Sequence, residues 1–418
     1  MNILVLNCGS STVKFQIIQT DLEMMKNDSE RCLASGNCEK IGSEQALYGM
    51  RATGSEGIKG VRPLRDHREA ICAIFDWINS GQAGIEGVSS LKDIQAVGHR
   101  ILHGGERFTK STLIDDQVLQ GISDLIPLGP LHQRPQVMGI QACREFMGHD
   151  IPQVAVFDPS FHTTMRPINY LYALPYEYYE RYQIRRYGFH GTSYRYVTQK
   201  YAALTNTPID KVNIIILHLG NGSSVCAVKE GKCLDTSMGF TPLEGLVMGT
   251  RCGDLDASIL PFLMEHAQLD GKGLDDLMNK KSGLLGISGL SSDMRDIEEA
   301  AVSGHERAKL ALDMFCLRLT KYIGSYFAEM HGAQAIVFTG GIGQNSPIVR
   351  AQACEGLECM GIDIDLALND SLKRGTAGDI ARADSRVKIW VIPTNEEVMI
   401  ARDTFTIIRN AECVIRNS

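Results

Sequence analysis

The sequence predicts a duplicated α/β fold, because one strand–turn–strand unit occurs twice and strand-like and helix-like patterns alternate along the chain. The first copy, NILVLNCGSSTVK, spans residues 2–14, and the second, NIIILHLGNGSS, spans residues 213–224. In both copies an apolar strand enters a turn rich in glycine and hydroxyl side chains. Glycine lets the backbone approach a ligand closely, and successive N–H groups in such a turn can bind phosphate. We therefore expect two halves with a nucleotide between them.

Each of these turns could also be an ordinary β-hairpin turn. Neither has the spacing of a P-loop, which requires G-x-x-x-x-G-K-[ST] before a helix. Lys14 closes the first copy with a cation suited to phosphate. The repetition, together with a third glycine-rich turn at residues 338–347, favours the nucleotide-binding interpretation over two unrelated hairpins.

The remaining elements follow from apolar spacing and end signals. Helical spacing predicts helices over residues 69–79 and 306–331, each followed by a glycine. Short apolar runs predict strands at residues 154–157, 335–338 and 388–392. A last helix is expected to begin at Thr394 or Asn395, with the acids Glu396 and Glu397 in its first turn, where the helix dipole favours them.

Two glycine-rich segments are predicted as connections. Residues 338–347 follow a strand and enter a helix that Ser346 can cap, so the turn could hold a nucleotide against its backbone or be a tight strand-to-helix connection. Residues 283–296 are predicted as a flexible loop that ends at a helix start. That loop could close over a ligand as a lid, or be a long surface loop.

Composition limits the class of protein. The 418 residues carry a net charge of −7, which argues against general binding of nucleic acid or of an anionic membrane. The twelve cysteines lack zinc-type spacing and fit a reducing cytosol, and no apolar run is long enough to span a membrane, so a cytoplasmic protein is expected. Residues 170–187 are rich in Tyr and Arg, which favours a subunit interface over nucleic-acid stacking in a chain this acidic. His99 and His103 have metal-ligand spacing for a helix, but residues 94–97 read as a strand.

Three cationic residues lie in conspicuous surroundings. Arg100 lies at a strand end, His190 lies between glycines, and small residues flank Arg251. Taken singly, such an Arg is usually ion-paired or solvated, and such a His is usually packed in a core. In an acidic protein, however, an anionic substrate has to be held by a local cluster of this kind.

Taken together, these segments resemble the acetate kinase family (acetate and propionate kinases) of the acetokinase group. The resemblance extends from Asn7 to Glu397 and is carried by NCGSSTVK at 7–14, GHRILHGGE at 98–106, RRYGFHGTS at 185–193, HLGNGSS at 218–224, DTSMGFTPLEGLVMGTRCGD at 235–254 and PTNEE at 393–397. It implies two ribonuclease H-like domains of the sugar kinase, actin and Hsp70 superfamily, with a nucleotide cleft between them. It also implies a homodimer, dependence on Mg²⁺ (with Mn²⁺ as a possible substitute), and reversible transfer of a phosphoryl group from ATP to acetate, giving ADP and acetyl phosphate.

The resemblance also assigns residues. It implies an N-terminal domain of residues 1–160, completed by a C-terminal helix at about 394–418, and a nucleotide-binding domain of residues 161–393. By motif, the catalytic residues are Asp158, His190 and Arg251, the metal residues are Asn7 and Glu396, and the substrate residues are Arg100, Leu102, Leu131 and Pro242. The residues expected to contact the nucleotide are Lys14, His218, Leu219, Gly220, Asn221, Gly222, Asp293, Met294, Arg295, Gly341, Ile342, Gly343, Gln344 and Asn345.

Elementary chemistry agrees with this assignment. A carboxylate acceptor is already ionised at pH 7, so it needs cations and donors that bring two anions together rather than a base. We therefore expect Asp158 to orient the metal, its waters or the acceptor. Leu102 lies two residues after Arg100, so on a strand both would share a face, and the leucine would favour acetate over propionate.

The sequence also departs from the family pattern, with Tyr194 in place of His, Gln344 in place of Glu, LHQRPQ at 131–136, and Pro159 after the acid. Two other classes share the expected fold. A polyol or sugar kinase would need a base and a hydroxyl-binding pocket, and an actin- or chaperone-like ATPase would leave the Arg and His residues without a role.

Overall fold

The computed structural model describes residues 1–417, and the chain forms two compact units. Unit 1 comprises Met1–Ser160 together with the chain from Asn395 onward, and unit 2 comprises Phe161–Thr394. Each unit is built on one β-sheet. Within the described residues, no helix is long and apolar enough to cross a bilayer.

Fourteen strands form the two sheets in the described chain. The sheet of unit 1 contains β1 Asn2–Cys8, β2 Thr12–Gln19, β3 Arg31–Glu39, β4 Ser43–Ala52, β5 Ile58–Leu64, β6 Ala96–Ile101, β7 Thr112–Leu113 and β8 Gln153–Phe157. The sheet of unit 2 contains β9 Ile214–Leu219, β10 Ser223–Lys229, β11 Lys232–Thr236, β12 Ala335–Thr339, β13 Gly378–Asp379 and β14 Lys388–Val391.

Sixteen α-helices surround the sheets in residues 1–417. They are α1 Leu22–Asn27, α2 His67–Asn79, α3 Asp116–Asp124, α4 Pro130–Met147, α5 Pro167–Tyr170, α6 Glu177–Tyr182, α7 Gly191–Leu204, α8 Ile259–His266, α9 Gly271–Lys280, α10 Gly283–Ser288, α11 Met294–Val302, α12 Glu306–Met330, α13 Gly340–Asn345, α14 Pro347–Cys354, α15 Leu366–Ser371 and α16 Glu396–Asn417. Short 3₁₀ helices occur at Leu91–Asp93, Ile126–Leu128, Asp158–Thr164, Ile209–Lys211 and Glu358–Met360.

The two sheets repeat one topology. Unit 1 contains the order β3-β2-β1-β6-β8, and unit 2 contains β11-β10-β9-β12-β14. In both, the first three strands are antiparallel, and the next two run parallel to the first strand of the unit. This repetition confirms the duplicated α/β fold predicted from the two strand–turn–strand units. Unit 1 extends its sheet with β4 and β5 at one edge and β7 at the other.

Apolar side chains alternate along the central strands, and those on both faces of each sheet are buried. In unit 1, Leu4 and Leu6 of β1 face the core beneath α2 and α4, and α16 packs against β1, β6 and β8. Gly98 permits the close approach of α16, because a Cβ there would lie 2.5 Å from Thr404 Oγ1 and 2.7 Å from Ile400 Cγ2. In unit 2, the long helix α12 covers one face of the sheet and α7 packs with the residues of the other face.

The predicted elements are largely confirmed. The helix predicted at 69–79 begins at His67, two residues early, because the Asp66 carboxylate caps it by accepting from Glu69 N–H. The helix at 306–331 ends at Met330, with His331 as a left-handed cap. The strands predicted at 154–157, 335–338 and 388–392 correspond to β8, β12 and β14.

Two glycine-rich segments predicted as connections contain helices, so the prediction of a flexible loop at 283–296 is wrong over its first six residues, and the turn predicted at 338–347 includes a short helix. In the segment 283–296, the first six residues form α10, whose Leu284 and Leu285 N–H groups donate to the carbonyls of Met248 and Gly249. Leu284 is fully buried, so packing, not glycine content, decides the structure of this segment. In the segment 338–347, Gly340–Asn345 forms α13 before Ser346 caps α14, with Pro347 at its first position as expected.

Candidate active site

Unit 1 brings the predicted acceptor residues together at the carboxyl ends of neighbouring strands. Arg100 is near the end of β6, and Asp158 follows β8, which pairs in parallel with β6. The Arg100 guanidinium donates to both Asp158 oxygens, Nε to Oδ1 at 2.8 Å and Nη2 to Oδ2 at 2.6 Å. Its Nη1 donates to Asn7 Oδ1 at 3.3 Å, at the end of β1. The fork-like pairing fixes the plane of the guanidinium.

The opposite charges of Arg100 and Asp158 hold this cluster together. Burial by itself would lower the pKa of Arg100, but the charge of Asp158 and the hydrogen bonds to it outweigh burial and raise that pKa above its usual value. The Asp158 side chain is almost inaccessible to solvent, while 20% of the Arg100 side chain remains exposed. An aspartate with both oxygens occupied by one guanidinium is poorly placed to accept a further proton from a substrate.

Glu396, the first residue of α16, belongs to the same cluster. Burial raises the pKa of Glu396 to about 7, against the opposing charge of Arg100 and with Asp158 adding to the shift. The oxygens of Asn7, Asp158 and Glu396 are the hard donors that Mg²⁺ and Mn²⁺ prefer. A buried carboxylate with so high a pKa lacks sufficient positive charge nearby, and a divalent cation would supply it. The residues present therefore fit a divalent metal ion.

The segment around Leu102 is arranged differently from the prediction. β6 ends at Ile101, so strand alternation does not extend to Leu102, and the argument that Leu102 shares a face with Arg100 is wrong in that form. Leu102 is nonetheless buried, and a Cβ on Gly129 would lie 3.0 Å from its Cδ2. Leu131 is half exposed in the first turn of α4.

Two glutamines of α4 hold this segment in place. Gln136 Oε1 accepts from the N–H of Leu102 at 2.9 Å, and Gln133 Oε1 accepts from the N–H of His103 at 3.2 Å. Gln133 Nε2 also donates to the His103 carbonyl at 2.9 Å. Both belong to the run LHQRPQ that departs from the family pattern, so this departure supplies structural hydrogen bonds here.

Unit 2 places His190 against a second histidine. His190 precedes α7 in a left-handed conformation with φ of 58°, which few non-glycine residues adopt. Its ring stacks on that of His218 with 4.2 Å between centroids. His190 Nδ1 lies 2.8 Å from Ser224 Oγ, and His218 Nδ1 lies 2.8 Å from Ser193 Oγ. The strained backbone and the fixed rings hold His190 at a defined position.

Arg251 lies beside the glycine-rich turn between β9 and β10. Its Nη1 donates to the carbonyl of Pro242 at 3.0 Å, and a Cβ on Gly222 would lie 3.3 Å from the same nitrogen. Gly249 is tighter still, because a Cβ there would lie 1.9 Å from Asn221 Oδ1. The small residues that flank Arg251 in sequence thus let two backbone segments meet.

A cavity of about 600 Å³ in unit 2 collects most of the predicted nucleotide residues. Its lining includes Gly220, Asn221, Asp293, Met294, Arg295, Gly341, Ile342 and Asn345. These residues come from the β9–β10 turn, the start of α11 and the helix α13. The lining also includes Ser292 and Ser346, which lie in the two glycine-rich segments named above, and Glu298 and Arg374, which the sequence did not indicate.

The other predicted nucleotide residues do not line this cavity. In unit 2, His218, Leu219 and Gly222 occupy the adjoining strand and turn, and Gly343 is a buried residue of α13 itself. The backbone carbonyl of Gln344 accepts from Arg350 Nη1 at 2.9 Å. Lys14 is an exposed residue of unit 1.

Tyr194, another departure from the family pattern, is fully buried. Its hydroxyl is hydrogen bonded to Ser224 Oγ, the same atom that contacts His190, and its ring meets His162 edge to face. His162 also touches the His190 segment, since its Nε2 lies 3.0 Å from the Phe189 carbonyl oxygen. Sequence reasoning did not identify Ser224 or His162, because only the folded chain brings them to His190.

Comparisons with known proteins fit this geometry. The duplicated sheets define the ribonuclease H-like fold of the sugar kinase and actin superfamily, and residues 2–402 match the model of the acetokinase family. An acetate kinase of Chloroherpeton thalassium is 51% identical over 99% of this chain and 100% of its own length, and one of Thermotoga maritima is 50% identical over 98% and 99%. This chain belongs to the acetokinase family.

Two solved structures are similar throughout. The crystal structure of Porphyromonas gingivalis acetate kinase has a TM-score of 0.90 and 42% identity, covering 97% of this chain and 99% of that one. A propionate kinase from Francisella tularensis has a TM-score of 0.87 and 38% identity, with the same coverage. The sequence identity to both structures is high enough to show membership of the same family, and not only a shared fold.

Proposed function

We propose that this protein is an acetate kinase, which transfers the γ-phosphoryl group of ATP directly and reversibly to acetate, giving acetyl phosphate and ADP. The observation that carries the proposal is the partly buried Arg100–Asp158–Asn7 cluster, which presents a fixed guanidinium where an anionic acceptor can bind. Acetate kinases that are about 50% identical to this chain over nearly its full length support the choice of substrate.

The chemistry assigns a role to each cation. Acetate is ionised at neutral pH, so transfer requires that the repulsion between carboxylate and phosphoryl group be offset. Arg100 would bind the acetate carboxylate, and His190 and Arg251 would donate to the phosphoryl oxygens as charge spreads over them. Asn221, Asp293, Ile342 and the other residues of the 600 Å³ cavity would hold the nucleotide.

A divalent cation, Mg²⁺ or Mn²⁺, would be held by Asn7 and Glu396, with Asp158 nearby. Bound there, it would neutralise phosphate charge during transfer. The oxygens of Asn7, Asp158 and Glu396 would also orient the water molecules around the ion.

Asp158 acts in this scheme as a positioning residue. Both of its oxygens accept from Arg100, so the carboxylate fixes the guanidinium and no general base is required. A sugar kinase must remove a proton from a hydroxyl, and the occupied carboxylate argues against that class.

Propionate kinase is the second candidate, and one solved relative carries that name. The buried Leu102 beside Gly129 and the half-exposed Leu131 are the candidate determinants of acceptor size. One methylene typically changes binding by about 1–3 kcal/mol, so propionate would be a poorer substrate and not an excluded one.

We also propose a homodimer. Exposed aromatic and aliphatic side chains gather around α5 and α6 of unit 2, where Ile168 is 81% exposed and Leu174, Tyr176 and Tyr182 are about half exposed. Arg185 lies over the Tyr170 ring at 3.6 Å in the same segment. Tyr and Arg are enriched in subunit interfaces. Light scattering during gel filtration would test this, and a monomer would contradict it.

The decisive experiment is a hydroxylamine trap for acyl phosphate, with ATP and Mg²⁺, comparing acetate, propionate, butyrate and glycerol. We expect hydroxamate to form with the highest kcat/KM from acetate. A preference for propionate would retain the mechanism and change the substrate. ADP released with glycerol, or without any acceptor, and no hydroxamate would refute acyl-phosphate chemistry.

A further inference from the structure

One histidine and two cysteines meet in the interior of unit 2, where β10 and β11 face the end of the 3₁₀ helix Asp158–Thr164. His162, Cys226 and Cys233 are all buried. One ring nitrogen and the two sulfurs lie within 4.8 Å of one another. The two sulfurs are 3.6 Å apart, and His162 Nδ1 lies 3.0 Å from Cys233 Sγ. The reaction proposed above uses none of these three side chains.

A β-bulge brings the second cysteine to the face of the first. The register of β10 and β11 shifts between Ala227 and Val228, and the extra residue on β11 is Leu234. Val228, two residues from Cys226, pairs with Cys233, so both cysteines project to the same face of the sheet. Without the extra residue, Cys233 would project to the opposite face. Bulges re-aim side chains in this way.

His162 presents the ring nitrogen that a metal ion requires. Its Nε2 lies 3.0 Å from the carbonyl oxygen of Phe189, which only accepts, so Nε2 carries the proton and Nδ1 the lone pair. Histidines that bind metals usually donate their second ring N–H to a carbonyl or carboxylate in the same way. Thr164 fixes this segment to β11, because its hydroxyl donates to the Cys233 carbonyl at 2.7 Å. The supports of a metal ligand are therefore in place.

The separations fit a tetrahedral ion with sulfur and nitrogen ligands. Zn–S bonds of about 2.3 Å and Zn–N bonds of about 2.0–2.1 Å place two sulfurs about 3.8 Å apart, and a sulfur and a nitrogen about 3.6 Å apart. The observed 3.6 Å between the sulfurs is close to the first value, and the 3.0 Å between Nδ1 and Cys233 Sγ requires a small rotation of the thiol. The Asp235 carbonyl oxygen lies 3.6 Å from the same sulfur, where it can complete the coordination.

Charge and ligand type select the ion. Two thiolates and a neutral imidazole are neutralised by a divalent cation, whereas a monovalent one would leave a net charge in an apolar core. Sulfur ligands favour Zn²⁺ over Mg²⁺, which prefers oxygen. In the absence of a metal, burial raises the pKa of Cys233 well above its usual value, so this thiol is protonated and donates to His162. Binding therefore releases the thiol protons to the solvent.

We propose that His162, Cys226 and Cys233 form a binding site for a thiophilic divalent cation, with Zn²⁺ as the ion that fits best. The ion would connect the β10–β11 hairpin to the 3₁₀ helix, as structural zinc ions connect segments elsewhere. β11 is the edge strand of its sheet, so local displacement of this strand gives the ion a route to the site. Binding here does not depend on phosphoryl transfer, and the site shares no residue with the Mg²⁺ ligands proposed above.

The test is a titration of the reduced, metal-free, full-length protein with Cd²⁺ in excess Mg²⁺. Cd²⁺ replaces Zn²⁺ at thiolate sites and gives an ultraviolet charge-transfer band there. The variants are Cys226→Ala and Cys233→Ala, measured separately. One control is Cys354→Ala, a buried cysteine of unit 2 in a different apolar cluster, and the other is Cys359→Ala, which removes an exposed thiol. The Tm of the wild-type protein with and without one equivalent of Zn²⁺ is a second measurement that needs no variant.

We expect one Cd²⁺ to bind per chain with a band for two thiolates, and Zn²⁺ but not Mg²⁺ to displace it. Each variant should bind at least tenfold more weakly, and both controls within twofold of wild type. Zn²⁺ should raise the Tm of the wild-type protein by several degrees, since it binds the folded chain. The proposal is overturned if the wild-type protein shows no two-thiolate band, if Zn²⁺ leaves its Tm unchanged, or if binding is lost with Cys359→Ala instead.

Discussion

His162 is a buried side chain that can control the position of His190, the histidine that we propose acts in catalysis. Its Nε2 faces the Phe189 carbonyl, which only accepts, so Nε2 carries the proton. Nδ1 lies 3.0 Å from Cys233 Sγ and accepts from that thiol, whose pKa burial raises well above its usual value. The imidazole thus connects β11 to the residue that precedes His190.

The substitutions His162→Leu and His162→Gln test this connection. Leucine removes the donor to Phe189, so we expect kcat to fall about tenfold with little change in the KM for acetate, since a lost buried hydrogen bond costs about 1–3 kcal/mol. Glutamine can place its amide near the position of Nε2 and should restore most of kcat. Steady-state kinetics measure both. Equal losses in the two variants, accompanied by equal falls in Tm, would indicate a purely structural role.

The Arg100–Asp158 pair makes a different prediction. Asp158→Asn replaces one acceptor oxygen with an amide donor, so the guanidinium loses its fixed plane. We expect the KM for acetate to rise at least tenfold and kcat to fall, while the KM for ATP changes little. Near-normal kinetics for Asp158→Asn would contradict the positioning role.

At the scale of single residues, the sequence indicates the candidate site residues better than the residues that hold them in place through hydrogen bonds. Arg100, Asp158 and Asn7 were all identified from motifs, and they are in contact in the structure. Gln133 was seen only as a departure from a pattern, because its bonds to His103 form across 30 residues of chain and depend on the path of α4.

Among the elements, α10 has the clearest backbone requirement. Gly283 begins it with φ of 61°, and a Cβ there would lie 2.1 Å from the Met248 carbonyl oxygen. We expect Gly283→Ala to lower Tm by several degrees, through both the clash and the left-handed backbone. Gly271→Ala, at the start of α9 with open space around the Cβ, is the control and should leave Tm unchanged or slightly higher. Calorimetry distinguishes these outcomes, and equal Tm values would contradict the prediction.

The strand β11 carries a titrating carboxylate. Burial raises the pKa of Asp235 to about 6, against the opposing charge of Arg186 and with Glu329 adding to the shift. The pKa of Arg186 is nevertheless raised, since burial, which lowers it, is outweighed chiefly by Glu244. Glu244 lies 2.7 Å from Arg186, whereas Asp235 lies 3.7 Å away and gains less from the pairing.

This shift predicts a pH-dependent stability difference. The contribution of Asp235 is fully present below about pH 4, where the carboxyl group is protonated in both folded and unfolded chains, and it is lost as pH rises to about 6. Asp235→Asn stays neutral throughout. The shift in the pKa of Asp235 corresponds to about 3 kcal/mol in the free energy of unfolding. We therefore expect the Tm of the variant minus that of wild type to increase by several degrees between pH 4 and pH 7. A constant difference would contradict it.

Helices and strands were predicted correctly where the pattern of apolar residues was regular. The helix α12 and the strand β12 follow directly from their patterns. It failed at α10 and α13, where glycines suggested loops. Hydrogen bonds from α10 to residues 248 and 249 compensate for the weak helix propensity, and these bonds cannot be inferred from neighbouring residues.

For the whole molecule, the sequence repeat was enough to predict duplication, because both copies supply the first two strands of a sheet. The added strands β4, β5 and β7 carry no repeat signal and were not predicted. Their pairing is set by contacts at the edges of the unit 1 sheet.

Unit 1 depends on α16 for part of its core. Met399, Ile400 and Ala401 are buried on this helix, which packs against β1, β6 and β8. We expect the fragment 1–160 to lack cooperative thermal unfolding, because those strands would expose an apolar face to water. The fragment 161–394 should unfold cooperatively, since its sheet and α12 form their own core. Calorimetry of each fragment tests this, and a cooperative transition for 1–160 alone would contradict it.

The same arrangement has a consequence on the ribosome. Residues 1–160 leave the exit tunnel first, yet the helix that covers their sheet is translated only after all 234 residues of Phe161–Thr394. Unit 2 can therefore fold before α16 has been synthesised, whereas unit 1 cannot complete its core until then. The nascent chain must therefore keep the α16-facing side of β1, β6 and β8 away from other growing polypeptides, and trigger-type chaperones would be expected to bind there during synthesis.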